Sequence, residues 1–563
     1  MGKLRVNVWA AAATALVVCA CGDDGGTTPP VDESAPLFEP TRLLEISIEV
    51  APADWDTIRV EHADLFGRLL TACPGPLPPD PFTVVPATVT IDGERIENVG
   101  LRKKGFLGSA SRTRPSLKLS FDEYDPAREY RGLERLTLNN NQQDDSLVDT
   151  CLAYRVFRDA GVPAPRCNWA RVTVNGVDLG VYSNVESVRR RYLGRFFDDT
   201  SGNLYEGQVA DVRATWVDNY EEKSGNSGDR ADLAALVTAA AAPEASLLAS
   251  LEPVLDVDAF LTFWTTEVLV GHWDGYGGNR NNHYLYRDPS TGKFRFLPWG
   301  PDSAFGDPNP FLATAPPPSL WANNVLASRL HALPEIRQRY RERMQSLLAT
   351  AWNEAALVAE VDRAAAMFAP YVHVRADAHQ TALADVRNFI MTQRQTLEAD
   401  LATDPRWTTP LPDSYCVRIA GTARGTFSAA HAAFPPANPF GGSGTFELTL
   451  EGQSVAFQNV SAAAGPDNDP SQPRMAAAAY GLTSNGDLIL PVLLVDPELY
   501  AVRALDVDGY DVFGILLQTN INTGGPIQTL GFLQGTMTLT AAPSTDGEIV
   551  TGSFDLEIIR ASN

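Results

Sequence analysis

Two aspartates and two asparagines fall within one stretch of loop and hairpin: Asp274, Asn279, Asn282 and Asp302. Residues Asn282–Arg287 and Lys293–Trp299 read as antiparallel strands around the turn Asp288-Pro-Ser-Thr-Gly292. The turn occupies one end of such a ribbon, so both open ends lie at the other. Asp274 and Asp302 are therefore expected together, with Asn279 and Asn282 beside them. Carboxylates and amide oxygens converging on loops form a hard oxygen donor set of the kind Mg²⁺ or Mn²⁺ prefers. Two carboxylates this close repel each other unless a cation lies between them. The same residue types also serve surface loops in which Asp and Asn cap backbone groups.

A second feature lies upstream. In Ser116-Leu-Lys-Leu-Ser-Phe121 the apolar Leu117, Leu119 and Phe121 share one strand face, and Lys118 and Ser120 share the other. A loop bearing Gly105 and Gly108 (GFLGSASR) precedes this strand. A lysine on the non-core face, after a glycine- and serine-bearing loop, can reach the phosphates of a nucleotide, although a lone strand lysine more often only meets solvent. In chain order the parts are a Gly-bearing loop, a strand lysine, Asp-x₄-Asn, a hairpin and an acidic residue. Phosphoryl transfer asks for such a set: a cation on the phosphates, an Asp orienting the attacking hydroxyl, and oxygen ligands for a metal.

The elements that position these residues read as follows. LLEISIEV and ATVTIDGERIENVGLRKKG alternate as strands, with Asp92-Gly93 as a hairpin turn. A helix is expected over Ser146–Ala160, stopped by Gly161 and Pro163. Ala170–Val174 and Leu179–Val185 form a hairpin around Asn175-Gly176, and Val257–Gly271 reads as an apolar helix. Residues 208–255 read as an insertion or a pair of surface helices, and helices dominate from Asn323 to Ala402. His272 precedes Asp274 by two residues, a place for either a loop-orienting or a surface histidine. Trp273, Tyr276, Tyr284, Tyr286 and Trp299 read as core or hairpin packing, with Trp299 the one aromatic close enough to Asp302 to meet an adenine.

The stretches VGLRKKGFLGSASRTRPSLKLSF, DDSLVDTCLAYRVFRDAGVPAP, VTVNGVDLGVYSNVESV, GNLYEG, GHWDGYGGNRNNHYLYRDPSTGKFRFLPWGPDSAFG and FIMTQRQTLEADL resemble, in order, the CotH family of spore-coat protein H-like atypical kinases. The resemblance spans residues 37–402 and implies an α+β, diverged protein-kinase-like two-lobe domain that uses ATP with Mg²⁺ or Mn²⁺. It implies Asp274 as the catalytic aspartate, Lys118 as the phosphate-binding lysine and Asp302 as the metal-binding aspartate. Asn279 or Asn282 is implied as the second metal ligand, and Gly105 and Gly108 belong to the nucleotide loop. Glu186 is the expected acidic partner of Lys118. Gly300 departs from the family pattern, in which an Asp stands there. The implied function is phosphorylation of Ser or Thr in secreted or surface proteins. The alternative is a non-catalytic surface protein on a kinase-like scaffold, since fold does not fix function.

The rest of the chain bounds this reading. Of 563 residues, 69 are acidic and 45 basic, for a net charge of −24. That balance excludes non-specific nucleic-acid binding as a main role. Lys3 and Arg5, then the apolar Val8–Cys19, have the form of a secretory signal over residues 1–20. Cys21, after Val18-Cys-Ala and before a Gly/Asp/Thr/Pro tether over residues 21–36, resembles the lipidated cysteine of bacterial lipoproteins, with Cys19 as the alternative site. Membrane attachment through Cys21 alone, at the cell envelope, is thus expected for a monomer. Cys73, Cys151, Cys167 and Cys416 remain, and Cys151 with Cys167 is the expected pair. A Pro- and Thr-rich linker at 403–414 leads to alternating runs at 415–563, the pattern of a small all-β sandwich or barrel.

Overall fold

The computed structural model describes residues 32–64, 81–105, 109, 111–225, 228–306, 315–436, 441–467, 474–524 and 526–561. Cys21, Cys73 and Gly108 lie outside the described residues.

The first layer is a barrel of seven strands: β1 (Leu43–Val50), β2 (Val85–Ile91), β3 (Glu94–Lys104), β4 (Ser116–Ser120), β5 (Arg135–Asn139), β6 (Cys167–Val174) and β7 (Val177–Glu186). The short helix α1 (Pro52–Ile58) follows β1. Asp92-Gly93 and Asn175-Gly176 make the two expected hairpin turns, each with positive φ at both residues. Closure comes from a long-range parallel pairing of β1 with β6, Leu43–Ile48 against Trp169–Val174, which leaves the sheet without an edge. Alternation then decides what each strand shows. Ile46, Ile48, Val99, Leu101, Leu117, Leu119, Leu136 and Leu138 fill the interior. Arg102 and Lys104 on β3, Ser116 and Lys118 on β4, and Thr137 and Asn139 on β5 fall on the outer face, with Arg102, Lys118 and Thr137 in register.

The helix α2 (Asp149–Asp159) crosses from β5 to β6, and the disulfide Cys151–Cys167 ties it to the first residue of β6, with Cα atoms 5.1 Å apart. Cys416 is disulfide-bonded as well. After β7 comes the single turn α3 (Arg190–Leu193). A second sheet in the order β11-β10-β8-β9 lies next, built from β8 (Leu204–Gly207), β9 (Tyr220–Ser224), β10 (His283–Asp288) and β11 (Lys293–Pro298). Residues 208–255 are therefore more than surface helices. They hold α4 (Ala231–Ala240) and α5 (Leu247–Leu251), but also β9 and the buried Asp211, Trp216 and Tyr220. The weak alternation of Tyr-Glu-Glu-Lys-Ser hides that strand.

The helix α6 (Val257–Val270) is capped by the Asp256 carboxylate on the Ala259 N–H and ended by Gly271 at φ 70°. It leads into α7 (Tyr276–Asn279). The helices α8 (Val325–Ala332), α9 (Pro334–Thr350), α10 (Glu354–Phe368) and α11 (Ala376–Leu401) pack with α2 and α6 in one large core. Among the described residues, no helix is long and apolar enough to cross a membrane.

The C-terminal strands are β12 (Val417–Ala430), β13 (Ser443–Leu450), β14 (Gln453–Val455), β15 (Asn459–Pro466), β16 (Met475–Leu482), β17 (Asp487–Val495), β18 (Arg503–Val507), β19 (Val512–Asn520), β20 (Gln528–Ala541) and β21 (Ile549–Ala561). They make one antiparallel sheet that curls on itself, so that β12 and β13 meet β15 and β16 over a shared core. A one-residue bridge, His431 to Ala464, joins the two ends. Residues 403–414 also pack: the Pro412 carbonyl accepts from Arg213, and the Asp413 carbonyl from Trp216.

Candidate functional site

The loop after α6 is fastened from below before it presents anything above. Glu267, fully buried near the end of α6, accepts the backbone N–H of Tyr276 and of Gly277, each at 2.8 Å. Burial pushes its pKa up to about 8 against those two hydrogen bonds. At Gly275 a Cβ would stand 2.2 Å from the Glu267 carboxylate, so only glycine permits this approach. The Tyr276 hydroxyl donates to buried Asp211 at 2.8 Å, and Asn324 donates to the Tyr276 carbonyl at 3.1 Å.

On this base Asp274 sits under a canopy of amides. Asn279 donates to Oδ1 at 2.7 Å, Asn282 to Oδ2 at 2.6 Å, and Asn281 to both oxygens at 3.4 and 3.2 Å. Burial raises the Asp274 pKa to about 7; the Asn279 bond opposes this and the charge of Asp302 adds to it. The two aspartates expected together are therefore close enough to act on each other. Asp302 accepts from Asn139 of β5 at 3.0 Å. Its pKa is raised by burial, with the Asn139 bond and the charge of Lys104 holding it back.

His272 resolves as a loop-orienting residue. It is fully buried, and its Nε2 lies 3.1 Å from the Trp299 carbonyl. A carbonyl only accepts, so Nε2 carries the proton. Burial lowers the pKa to about 4 and keeps the ring neutral. This bond ties the Asp274 loop to the segment that leads into Asp302. Gly300, on that segment, has φ 51°, and a Cβ there would meet Asn282 Oδ1 at 2.9 Å. An Asp at 300 would thus be strained and would crowd Asn282.

The cationic side comes from the barrel. Lys118 is half-buried on the outer face of β4 and makes no hydrogen bond or ion pair with the described residues. Burial lowers its pKa to about 7, with the charges of Arg102, Arg189 and Lys223 acting in the same direction and Glu206 against them. The expected partner, Glu186, is elsewhere engaged: its two oxygens pair with Arg166, at 2.7 Å, and with Arg195. Those arginines come from outside the strand and loop order that singled Glu186 out. The acid that acts on Lys118 is Glu206 of β8. Burial would raise its pKa, but the charge and 2.7 Å bond of Lys223, then Lys118 and a Tyr284 hydrogen bond, hold it low. Lys104 stands on the same face of the barrel, 6.0 Å from the Trp299 ring centre, and Trp299 meets Tyr284 edge-on at 5.5 Å. Gly105, at φ 118°, ends β3, and a Cβ there would lie 2.4 Å from Ser109 Oγ.

The donor set fits a hard divalent cation. The charge of Asp302 raises the cost of ionising Asp274, and both carboxylates meet amide groups. A third acid approaches: Asp149 at the start of α2 has its pKa pushed well up by burial, Asp144 and Asp302. The Asn281 oxygen accepts the Val209 N–H at 3.2 Å, whereas those of Asn279 and Asn282 accept no hydrogen bond from the described residues. Both stay suited to metal ligation. Sequence reading missed Asn139, Asn281, Lys104, Glu206 and Glu267. Period-2 alternation from Arg102 signals Lys104, and the run Asn279-Arg-Asn-Asn282 signals Asn281. Nothing local signals the other three.

Residues 101–399 match the family described as CotH kinase protein. The chain is 27% identical over 299 residues to inner spore coat protein H of Bacillus subtilis (strain 168), a match covering 50% of this chain and 80% of that protein. It is 25% identical over 187 residues to invasin CotH2 of Rhizopus delemar, covering 30% of this chain and 32% of the invasin's length. Among solved structures, the Helicobacter pylori proinflammatory kinase CtkA aligns with a TM-score of 0.23 at 9% identity, over 51% of this chain and 95% of that one. HipA, from the Shewanella oneidensis HipA–HipB–operator DNA complex, aligns with a TM-score of 0.28 at 13% identity, over 49% and 62%. Structural likeness this low carries no argument about the fold.

Proposed function

The chain belongs to the CotH kinase protein family, and from that premise we propose that it is an exported, metal-dependent kinase that passes the γ-phosphate of ATP to serine or threonine hydroxyls of secreted or cell-surface proteins. The observation that carries this reading is the pairing of opposites at one site. A caged Asp274 lies beside Asp302, and Asn139 links Asp302 to the barrel face that bears Lys104 and Lys118, the latter without a hydrogen bond or ion pair among the described residues. A half-buried ammonium among like charges calls for an anion, and two adjacent carboxylates call for a cation. A metal-bound triphosphate supplies both.

In this reading Asp302 and an asparagine oxygen, from Asn279 or Asn282, would hold the divalent cation, which would supply charge neutralisation for the phosphates. Lys118, with Lys104 near it, holds phosphate oxygens. Asp274 accepts a hydrogen bond from the substrate hydroxyl and takes its proton as that oxygen bonds to the γ-phosphorus and the bond to the bridging oxygen breaks, releasing ADP. The amides around Asp274 fix which way its oxygens point. The protein acts as a monomer, has no nucleic-acid partner, and is held at the cell envelope by lipidated Cys21. Relatives named as a spore coat protein and as invasins support a surface or extracellular location.

The test is intact mass after incubation with ATP and Mn²⁺ or Mg²⁺, alone and with casein as acceptor. Phosphate increments that vanish in Asp274→Asn support the kinase. Nucleotide-sized increments point instead to AMP transfer. No increment on either protein leaves a non-catalytic surface scaffold as the function.

A further inference from the structure

The C-terminal sheet meets the barrel at one place that matters for the site. The connection from β18 to β19, Asp508-Gly-Tyr-Asp511, is a tight turn in which Asp508 Oδ1 accepts the N–H of Tyr510 and of Asp511, each at 2.8 Å. It projects Tyr510 against the barrel, where the ring is buried. Lys103, the second-to-last residue of β3, donates to the Tyr510 hydroxyl and, at 2.8 Å, to the Arg59 carbonyl. Its ammonium lies 4.3 Å from the ring centre. Arg112, on the far side of the β3–β4 connection, pairs with Asp511 and stacks over the same ring at 5.0 Å. His62 stacks on the ring's other neighbourhood at 4.2 Å and bonds Asp508 at 3.0 Å, and Arg59 pairs with Glu498 at 2.7 Å. His62, Asp508 and Asp511 approach closely enough to hold a metal ion, but the guanidinium of Arg112 already supplies the positive charge on Asp511.

Strand alternation turns this contact into a constraint on the site. Lys103 and Lys104 are neighbours on β3 and so point to opposite faces. Lys103 goes to Tyr510, while Lys104 goes to the side where its charge acts on Asp302. Arg112 lies six residues before Lys118 in the same connection and strand.

We infer that the C-terminal domain positions the phosphate-binding face of the kinase site: Tyr510 and Asp511 grip Lys103 and Arg112 at the two ends of the β3–β4 connection and thereby set where Lys104 and Lys118 stand. Tyr510 and Asp511 are positioning residues, since neither touches the site. The inference rests on the nucleotide reading above and gives the appended sheet a role in it.

The test compares the full chain with Asp511→Asn, Tyr510→Phe and Asp511→Glu. Asp555→Asn, which breaks the exposed Arg424–Asp555 pair between two strands of the C-terminal sheet, is the control. Dissociation constants are measured for Mg–ATP and for adenosine. Asp511→Asn and Tyr510→Phe are expected to weaken Mg–ATP at least about fivefold, the lower end of a typical coupling between sites, while adenosine binding stays unchanged and Asp511→Glu restores part of the loss. A merely stabilising interface would shift the melting temperature without separating ATP from adenosine. Mg–ATP binding by Asp511→Asn and Tyr510→Phe equal to that of Asp555→Asn overturns this inference alone. Absence of ATP binding by the unaltered chain overturns the nucleotide reading, and this inference with it.

Discussion

Asp274 and Lys118 stand on opposite sides of one site and are treated in opposite ways. Three asparagine side chains donate to Asp274, and Glu267, Asp211 and Asn324 anchor the loop beneath it. Among the described residues, Lys118 has the longer-range field of Glu206 to set against three like charges. Asp274 is oriented within the protein, so its geometry exists before any ligand arrives. The cationic side is incomplete and has its missing charge supplied by what binds. Preorganised acceptor and unpaired cation together describe a site built for a strongly anionic ligand beside a hydroxyl.

If the acidic side is the chemical one, Asp274→Asn should have the largest effect. It preserves size, yet removes the proton acceptor and sets an NH₂ group against asparagine side chains that now donate to Asp274. A fall in transfer rate of about 10²- to 10⁴-fold is expected, with a melting temperature lowered only by the cost of an unsatisfied buried donor, about 1–3 kcal/mol. Steady-state transfer assays and differential scanning calorimetry check both parts.

Lys118→Met tests the other side. ATP binding and transfer should fall about 10²-fold, the scale of a lost charge-stabilising contact. Stability should stay level or rise, because a half-buried ammonium and its repulsion with Arg102, Arg189 and Lys223 disappear. A variant that loses stability while keeping ATP affinity would erase the contrast between the two sides.

Glu267→Gln sharpens the claim that the acidic side is fastened from below. It sets an NH₂ group against one of the two backbone N–H groups that Glu267 now accepts. A loss of about 1–3 kcal/mol, as for a buried donor left unsatisfied, is expected in denaturant melts, with reduced transfer at every ATP concentration.

The smallest effect concerns the docked sheet. Burial would lower the His62 pKa, but the hydrogen bond and charge of Asp508, aided by Asp511, raise it above 6.5. Burial would raise the Asp508 pKa, but the His62 bond and backbone N–H groups hold it below 3.8. The raised histidine contributes fully below 6.5 and loses its contribution as pH climbs through its folded value. The depressed aspartate contributes above 3.8 and loses its contribution as pH falls through its own. The pair should thus hold best between those limits and weaken on going from pH 6 toward 8, by less than about 1 kcal/mol for a partly exposed pair. Amide exchange at residues 59–62 and 508–511 reads this directly, and His62→Gln should abolish the dependence.

Legibility in the sequence followed the range of the interactions. The turns at Asp92-Gly93, Asn175-Gly176 and Asp288–Gly292 and the cap at Asp256 are local, and the strands and helices they bound were readable. Hairpin closure alone brought Asp274 and Asp302 together. Closure of the barrel was not readable, because it depends on residues 43–48 finding 169–174. For the same reason Asn139 and Glu206 were missed: each belongs to the site only through pairing between strands, whereas Lys104 was legible by alternation from Arg102 and was overlooked. Glu186 misled because chain order and charge were its sole credentials, and Arg166 and Arg195 reach it from elsewhere. The grip of Tyr510 on Lys103 joins residues of two separate cores, and no pattern within either stretch announces it.

The most direct measurement of the central claim is label transfer from ATP labelled at the γ-phosphate, with Mn²⁺ or Mg²⁺, by the full chain beside its Asp302→Ala variant. Label is expected on protein serine or threonine, dependent on the metal and lost in the variant. No transfer by the unaltered chain, or equal transfer by both, would contradict it.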